Sequence, residues 1–436
     1  MSGRRSVCLL FNVPANSTLR LFFALLLAGS MWFYVQHVLI PHQQAEAARD
    51  GIPRGNLSDL YPRWLGAREL LVHHRDPYST EVTKEIQAGY YGRPLDPALP
   101  HDPKDEQGFA YPVYVVFLLA PTITLPFAIV QTGFRWLLIA LTLASVLLWL
   151  RTLRWKVSTE TAAILLALTI GSFPVLQGMK LQQLSLLVAG LIAISATLLV
   201  EGHLFSAGVL LALATIKPQL ALPISVWFLL WAFSDWTRRR NFWWGFAGTM
   251  AVLAGGAEYL LPGWVGRFRQ AIVAYRQYNQ GAASVLDILI TPQWGKWLVI
   301  LIVVALAIVA WRCRDAVSGS CVHNQFTVLI LAATVVIIPK ASPYNQVLLL
   351  PGILLLSWQV RELWNRGLLR RAAVAICGLA LLWPWLAAMA LLAASIFLPA
   401  ESVQRGWALP LYTSVAIPVA VLALLVCSFA DVAESN

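Results

Sequence analysis

The sequence predicts an all-α polytopic membrane protein, and three observations carry that prediction. Hydrophobic residues make up 58% of the 436, charged residues only 12%, and mean hydropathy is +0.67, a balance too apolar for a soluble domain. Apolar runs recur from Leu21 to Phe429, each of roughly 17 to 25 residues and so able to cross about 30 Å of hydrocarbon. The runs are continuous and rich in Leu, Ala and Ile instead of alternating every second residue, which argues against closed strands.

The net charge of +11 follows membrane topology better than it follows nucleic acid. Basic residues cluster in short connections beside the runs: Arg4 and Arg5, Arg151 to Lys156, Arg238 to Arg240, Arg312 to Arg314, and Arg361 to Arg371. Such loops stay in the cytoplasm and orient the spans. The 19 Trp residues fit the same picture, because indole rings settle at headgroup level and Trp243, Trp244, Trp383 and Trp385 stand near run ends. The five cysteines, Cys8, Cys313, Cys321, Cys377 and Cys427, have no metal-ligand spacing and lie in no expected outer loop, so no structural disulfide is expected.

Taken in order, the first span covers about Leu21 to Ile40 and reads as an uncleaved anchor. A polar interval, residues 41–110, follows as the first extracytoplasmic loop. One crossing holds Arg135 to Leu150. The segment Tyr111 to Val130, broken by Pro112, Pro121 and Pro126, is read as partly embedded or as a kinked extension of that crossing. Further runs lie at Thr161 to Leu176, Leu184 to Val200, Phe205 to Ile216 and Gln219 to Phe233. Phe242 to Leu261 and Trp297 to Trp311 enclose a second outer loop, residues 262–296, with Arg267, Arg269, Tyr275 and Asp287. Gln325 to Ile338 and Pro343 to Trp358 enclose a short turn at Lys340, and the chain closes with Ala372 to Leu398 and Leu409 to Phe429. The total is about twelve crossings within a single integral membrane domain, residues 1–436.

The chemistry-bearing residues fall on one side of that topology. In the first loop, Asn56-Leu57-Ser58-Asp59-Leu60-Tyr61 precedes a helix-like stretch from Pro62 to His73, then Asp76-Pro77-Tyr78. The plain reading of Ser58 or Asp59 is a helix cap. Lys217 sits before Pro218 between two runs, Lys340 sits in Pro339-Lys340-Ala341-Ser342-Pro343-Tyr344, and Lys180 stands beside Gln182 and Gln183. Each alone reads as an interfacial snorkel; together with Asp59 on one face they read as charges converging on an anion. Asp102, Asp105 and Glu106 read as a solvated loop. No Walker loop, dinucleotide glycine motif or His-Glu-x-x-His pair occurs, so a soluble nucleotide is not the expected substrate.

At these residues the chain resembles the polyprenyl-phosphate-sugar-dependent glycosyltransferases of the membrane GT-C class, in particular glycosyltransferase family 87 with its mycobacterial mannosyltransferase members. The resemblance rests on Ser58-Asp59-Leu60-Tyr61, Asp76-Pro77-Tyr78, Tyr111-Pro112, Gln183-Leu184-Ser185, Ala207-Gly208 leading to Lys217-Pro218-Gln219, and Ser342-Pro343. Two departures stand out: Gln182, where the family often has Gly, and Val113, where it has a second Pro. The resemblance implies a GT-C-type fold, with short amphipathic helices of the first loop over a cavity open to the outer leaflet. It also implies a sugar donor on a polyprenyl phosphate, an acceptor that is a glycolipid or glycan, and Asp59 as general base. Lys217, Lys340, Lys180 and Arg68 are then the candidate cations for the phosphate, with Tyr61, Gln183 and Tyr344 as further substrate-binding candidates.

No cofactor and no metal are expected, and the expected partners are the donor, the acceptor and membrane lipids, with no nucleic acid. The expected location is the plasma (inner) membrane of the cell, multi-pass, with the active site outside. The competing readings are a lipid or glycolipid flippase and a glycan polymerase or ligase. A flippase commonly shows two related halves with broken helices, and no such duplication is visible.

Overall fold

The computed structural model describes residues 17–52, 55–96, 98–278 and 283–434, so Arg4, Arg5 and Cys8 lie outside it. Among the described residues the chain is helical throughout its regular structure, with no strand. Helix α1 (Thr18–Arg49) is long and carries a π turn at Tyr34–Leu39. Two helices of the first loop follow. Helix α2 (Tyr61–His73) takes Pro62 in its first turn, where a missing N–H costs nothing, and ends at His74 in the left-handed conformation, φ 54°. Helix α3 (Thr80–Tyr91) is capped by Ser79, whose side chain accepts from the Val82 N–H at 3.3 Å, and is closed by Gly92 at φ 89°.

The segment Tyr111 to Val130 is not a span: it holds the one-turn helix α4 (Val115–Leu119) and a 3₁₀ turn before helix α5 (Phe127–Thr152) starts. Helices α6 (Thr159–Ile170) and α7 (Phe173–Lys180) meet at 53°, with Gly171 and Ser172 at the joint and Pro174 in the first turn of α7. Then come α8 (Leu184–Val200), α9 (Leu204–Ala214), α10 (Pro218–Ser234) and α11 (Trp236–Leu260). The second loop contributes α12 (Trp264–Tyr278) and α13 (Val285–Leu289). Asp287, in α13, closes a capping box with Ser284, whose N–H reaches it at 2.8 Å. The chain continues through α14 (Pro292–Cys313), α15 (Cys321–Ile337), α16 (Pro343–Asn365, 3₁₀ as far as Leu349), α17 (Leu368–Ala394) and α18 (Ala400–Asp431).

Six of these helices, α1, α5, α14, α16, α17 and α18, are each long and apolar enough to cross a membrane, or seven spans if α6 and α7 form one broken span. The shorter apolar helices α8, α9, α10 and α15 and the longer α11 fall at the other positions where runs were expected. The protein is an all-α polytopic membrane protein. Helices α9 and α11 pack at close range through glycines. A Cβ on Gly208 would lie 2.2 Å from the Phe242 carbonyl oxygen, and one on Gly245 would lie 2.2 Å from that of Phe205. In lipid, where no hydrophobic force drives helix against helix, small residues earn their place by letting backbones approach in this way.

The first loop is tied down as firmly as a core. Arg75 bridges α2 and α3 by reaching Glu69 at 2.9 Å and Glu85 at 2.7 Å. Phe109, 1% exposed, seals against Gly66, where an added Cβ would meet its ring at 2.3 Å. Asp76 pairs with Arg267 of α12, and the Tyr78 hydroxyl donates to the Tyr111 carbonyl at 2.5 Å. The motif Asp76-Pro77-Tyr78 therefore joins the two long loops.

Candidate active site

Asp59 is held by its backbone before its side chain acts. Leu57 is left-handed at φ 51°, the Asn56 N–H donates to the Gly89 carbonyl at 3.0 Å, and the Asp59 N–H donates to the Leu181 carbonyl at 2.8 Å. The local capping role falls to Ser58, whose Oγ accepts from the Leu60 N–H at 3.3 Å. The Asp59 carboxylate is therefore left for other partners. Gln183 Nε2 donates to Oδ2, and the Tyr90 hydroxyl donates to Oδ1 at 3.2 Å.

Lys217 approaches from the other side of Gln183. It occupies the connection just before α10, and its Nζ donates to Ser185 Oγ at 2.6 Å, Gln183 Oε1 at 3.1 Å and Asn345 Oδ1 at 3.5 Å. Ser185 Oγ in turn donates to Asn345 Oδ1 at 2.8 Å. Lys217 is 4% exposed, and its Nζ stands 5.0 Å from the centre of the Tyr344 ring. Three chain connections thus meet at one end of the bundle: the starts of α8, α10 and α16.

These residues face one cavity of about 480 Å³. Asp59, Arg63, Tyr90 and Asp105 line it from the first loop, Tyr275 from the second, and Gln183, Lys217, Lys340, Tyr344 and Asn345 from the bundle. Asp59 is half-buried, and it shares this cavity wall with groups of both signs. Burial pushes its carboxyl above the ordinary carboxylate range; Arg63 pulls it down, Asp105 pushes it up, and Gln183 and Lys217 pull it down further. Burial, with the nearby Arg63 charge, pushes Lys217 down to about 7. Burial also keeps the Tyr90 phenol protonated, with the charge of Asp59 adding to the effect, so it serves as a donor.

The expected site residues divide sharply. Asp59, Gln183, Lys217, Lys340 and Tyr344 all line the cavity, Lys340 with its Nζ donating to the Tyr275 hydroxyl. Lys180 instead donates to Gln43 of α1 at 2.7 Å and does not line it. Arg68 is exposed, with its guanidinium 5.7 Å from the Trp64 ring, and Tyr61 packs edge-on against Phe127 at 4.8 Å, facing Gly89. The cation that α2 does supply is Arg63, which sequence reasoning missed. Its Nη1 donates to the Asp59 carbonyl at 2.7 Å and its guanidinium lies 4.2 Å over the Tyr111 ring. Arg63 stands one helical turn beyond Asp59, the only signal that the sequence offered.

The acidic cluster resolves into separate jobs. Asp102 pairs with Arg93 and accepts from the Asp96 N–H at 2.7 Å, whereas Asp105 faces the cavity. Among the described residues no group of three or more His, Cys, Asp or Glu side chains is placed to hold a metal ion. A larger cavity, about 990 Å³, lies at the other end of α15 and carries none of these residues.

A carboxylate with a raised proton affinity, facing cations across one cavity, suits proton abstraction coupled to departure of an anion. The sequence model of glycosyltransferase family 87 matches residues 109–351, more than half of the chain. The matched stretch includes Gln183, Lys217, Lys340 and Tyr344 but not Asp59. No curated protein and no solved structure matches the chain.

Proposed function

The chain belongs to glycosyltransferase family 87, and we propose that it moves a single sugar, mannose or another hexose or pentose, from a polyprenyl phosphate to a lipid or glycan hydroxyl. The reaction takes place on the extracytoplasmic face of the plasma membrane. The observation that supports this most directly is the cavity shared by Asp59 and the cations Arg63, Lys217 and Lys340.

In the proposed step, Asp59 takes the proton of the acceptor hydroxyl as that oxygen attacks the anomeric carbon from the face opposite the phosphate. The bond from that carbon to the phosphate oxygen breaks, its electron pair stays on the phosphate, and the sugar is transferred with inversion. Tyr90 and Gln183 orient the carboxylate, and a base of raised pKa suits general base work near neutral pH. Arg63, Lys217 and Lys340 stabilise the departing phosphate, which is charged before and after transfer. Tyr344, under Lys217, supplies a face for the sugar or the first isoprene unit.

The test is to incubate the purified protein in vesicles with radiolabelled polyprenyl-phosphate mannose, arabinose and glucose and with extracted membrane lipids. Label in a new, more polar glycolipid or glycan supports the reading, and the anomeric configuration of the product reports inversion. Label that crosses the bilayer without forming a new bond overturns it in favour of a flippase. Transfer of whole oligosaccharides in preference to single sugars overturns it in favour of a polymerase or ligase.

A further inference from the structure

We propose that the cavity at the far end of α15 binds an anionic glycerophospholipid from the leaflet opposite the Asp59 cavity. The two cavities are separated by the length of α15, about 25 Å for its run of residues, since one begins near Cys321 and the other near Ile338. The far cavity measures about 990 Å³, the upper end of what small-molecule sites enclose.

Its walls and its mouth differ in chemistry. Ile353, Leu356, Val374, Leu381 and Leu424 line the interior, a surface suited to an acyl chain. Arg154 and Arg361 stand at the polar edge, and neither makes an ion pair among the described residues. The third charge there, Glu362, is already paired with Arg366, which also reaches Asp431 at 3.0 Å. Arg154 is left-handed at φ 56° and follows α5, while Gly319 at φ 70° leaves room for it: a Cβ on Gly319 would stand 3.2 Å from Arg154 Nη2.

An independent observation lies at the inner side. Gln325, 3% exposed, lines this cavity, and both of its amide atoms lack any hydrogen-bond partner. Buried amides are almost always paired, because an unpaired one gives up its solvation for nothing. The glycerol esters of a phospholipid offer acceptors at the depth where an acyl chain meets its headgroup. A zwitterionic lipid brings the two arginines no net counter-charge, and inorganic phosphate does not match the apolar walls; an anionic phospholipid answers both.

The full-length protein, stripped of lipid in detergent, is titrated with dioleoyl phosphatidylglycerol, dioleoyl phosphatidylcholine or inorganic phosphate, and retained ligand is read by native mass spectrometry. The wild type is expected to retain phosphatidylglycerol about tenfold more strongly than phosphatidylcholine. Arg154→Asn combined with Arg361→Gln should remove that preference. Gly378→Phe, which fills the cavity from a position where an added Cβ meets nothing within 4 Å, should lower retention of both lipids. Equal retention of the two lipids by the wild type overturns the proposal. So does an unchanged preference in the arginine variant together with unchanged retention in Gly378→Phe, or displacement of bound phosphatidylglycerol by inorganic phosphate alone.

Discussion

Asp59 and Lys217 do not touch: one side chain, Gln183, stands between them, donating to Asp59 Oδ2 and accepting from Lys217 Nζ at 3.1 Å. A direct ion pair would lower the carboxylate's proton affinity and weaken it as a base. The amide fixes the position of both groups, and the pull of Lys217 on the carboxyl stays smaller than the upward push of burial. Under the proposed reaction, Asp59 then acts as a base without a direct ion pair, and the Lys217 charge faces the same cavity as the departing phosphate.

Asp59→Asn should lower sugar transfer by about two to four orders of magnitude, the usual contribution of a general base. It should not lower the thermal midpoint. Burial raises the folded pKa of Asp59 above its unfolded value, so the ionised carboxylate destabilises the folded state at neutral pH, and that penalty vanishes below about pH 4, where both states hold the proton. The variant's midpoint at pH 7 is therefore expected to equal or exceed wild type, with the gap closing as the pH falls. Transfer near the wild-type rate would remove Asp59 from the role.

The acid limb of kcat/KM should follow the protonation of Asp59, and two neighbours should move it in opposite directions. Asp105→Asn removes a like charge, so the limb shifts to lower pH; Gln183→Leu removes a donor to the carboxylate, so it shifts to higher pH. Both are read in one series of pH profiles. A limb that stays put in both variants belongs to another group.

Burial, with the Arg63 charge nearby, pushes Lys217 down to about 7. The KM for the phosphate-bearing donor should rise as the pH climbs through that value and the ammonium is lost. Lys217→Met should raise KM about tenfold or more at pH 6.5 and flatten its pH dependence. A variant KM that keeps the wild-type pH dependence would exclude this lysine as the sensitive group.

Arg63→Gln is expected to lower transfer about a hundredfold, in line with removing one preorganised donor from a developing anion, whereas Arg68→Gln should stay within about twofold of wild type, as exposed surface changes do. The measurement is initial rate at saturating acceptor. Equal losses from the two variants would mean that the rate does not distinguish the arginine lining the cavity from the exposed one.

That pair also shows where sequence reading stopped. Apolar run length was enough to locate the apolar helices, since each run had to bury or cover its own backbone, and the polar connections around Gln183, Lys217 and Tyr344 were visible as interruptions of those runs; the loop helices α3, α12 and α13 carry no such run. Helix α2 gave no such guide. Trp64, Leu65, Ala67, Glu69 and Leu70 are all buried, so no single polar stripe marks the outward face. Arg63 and Arg68 lie five residues apart, about 140° around the helix, and only tertiary packing decides which one turns inward. Lys180 escaped for a similar reason, because its partner Gln43 lies 137 residues away on α1. The left-handed Leu57, φ 51°, which helps to aim Asp59, has no signature in a residue type that rarely adopts that shape.

The backbone of Asp59 is anchored to Leu181, just past the end of α7, the shorter arm of the 53° break in α6 and α7. If α6 and α7 form one broken span, that joint works as a depth stop. Under the proposed reaction, the plane at which a sugar changes hands is measured from a segment embedded in hydrocarbon, not from the contour of the loop. Bilayer thickness, more than loop sequence, would then decide which acceptor hydroxyls come within range.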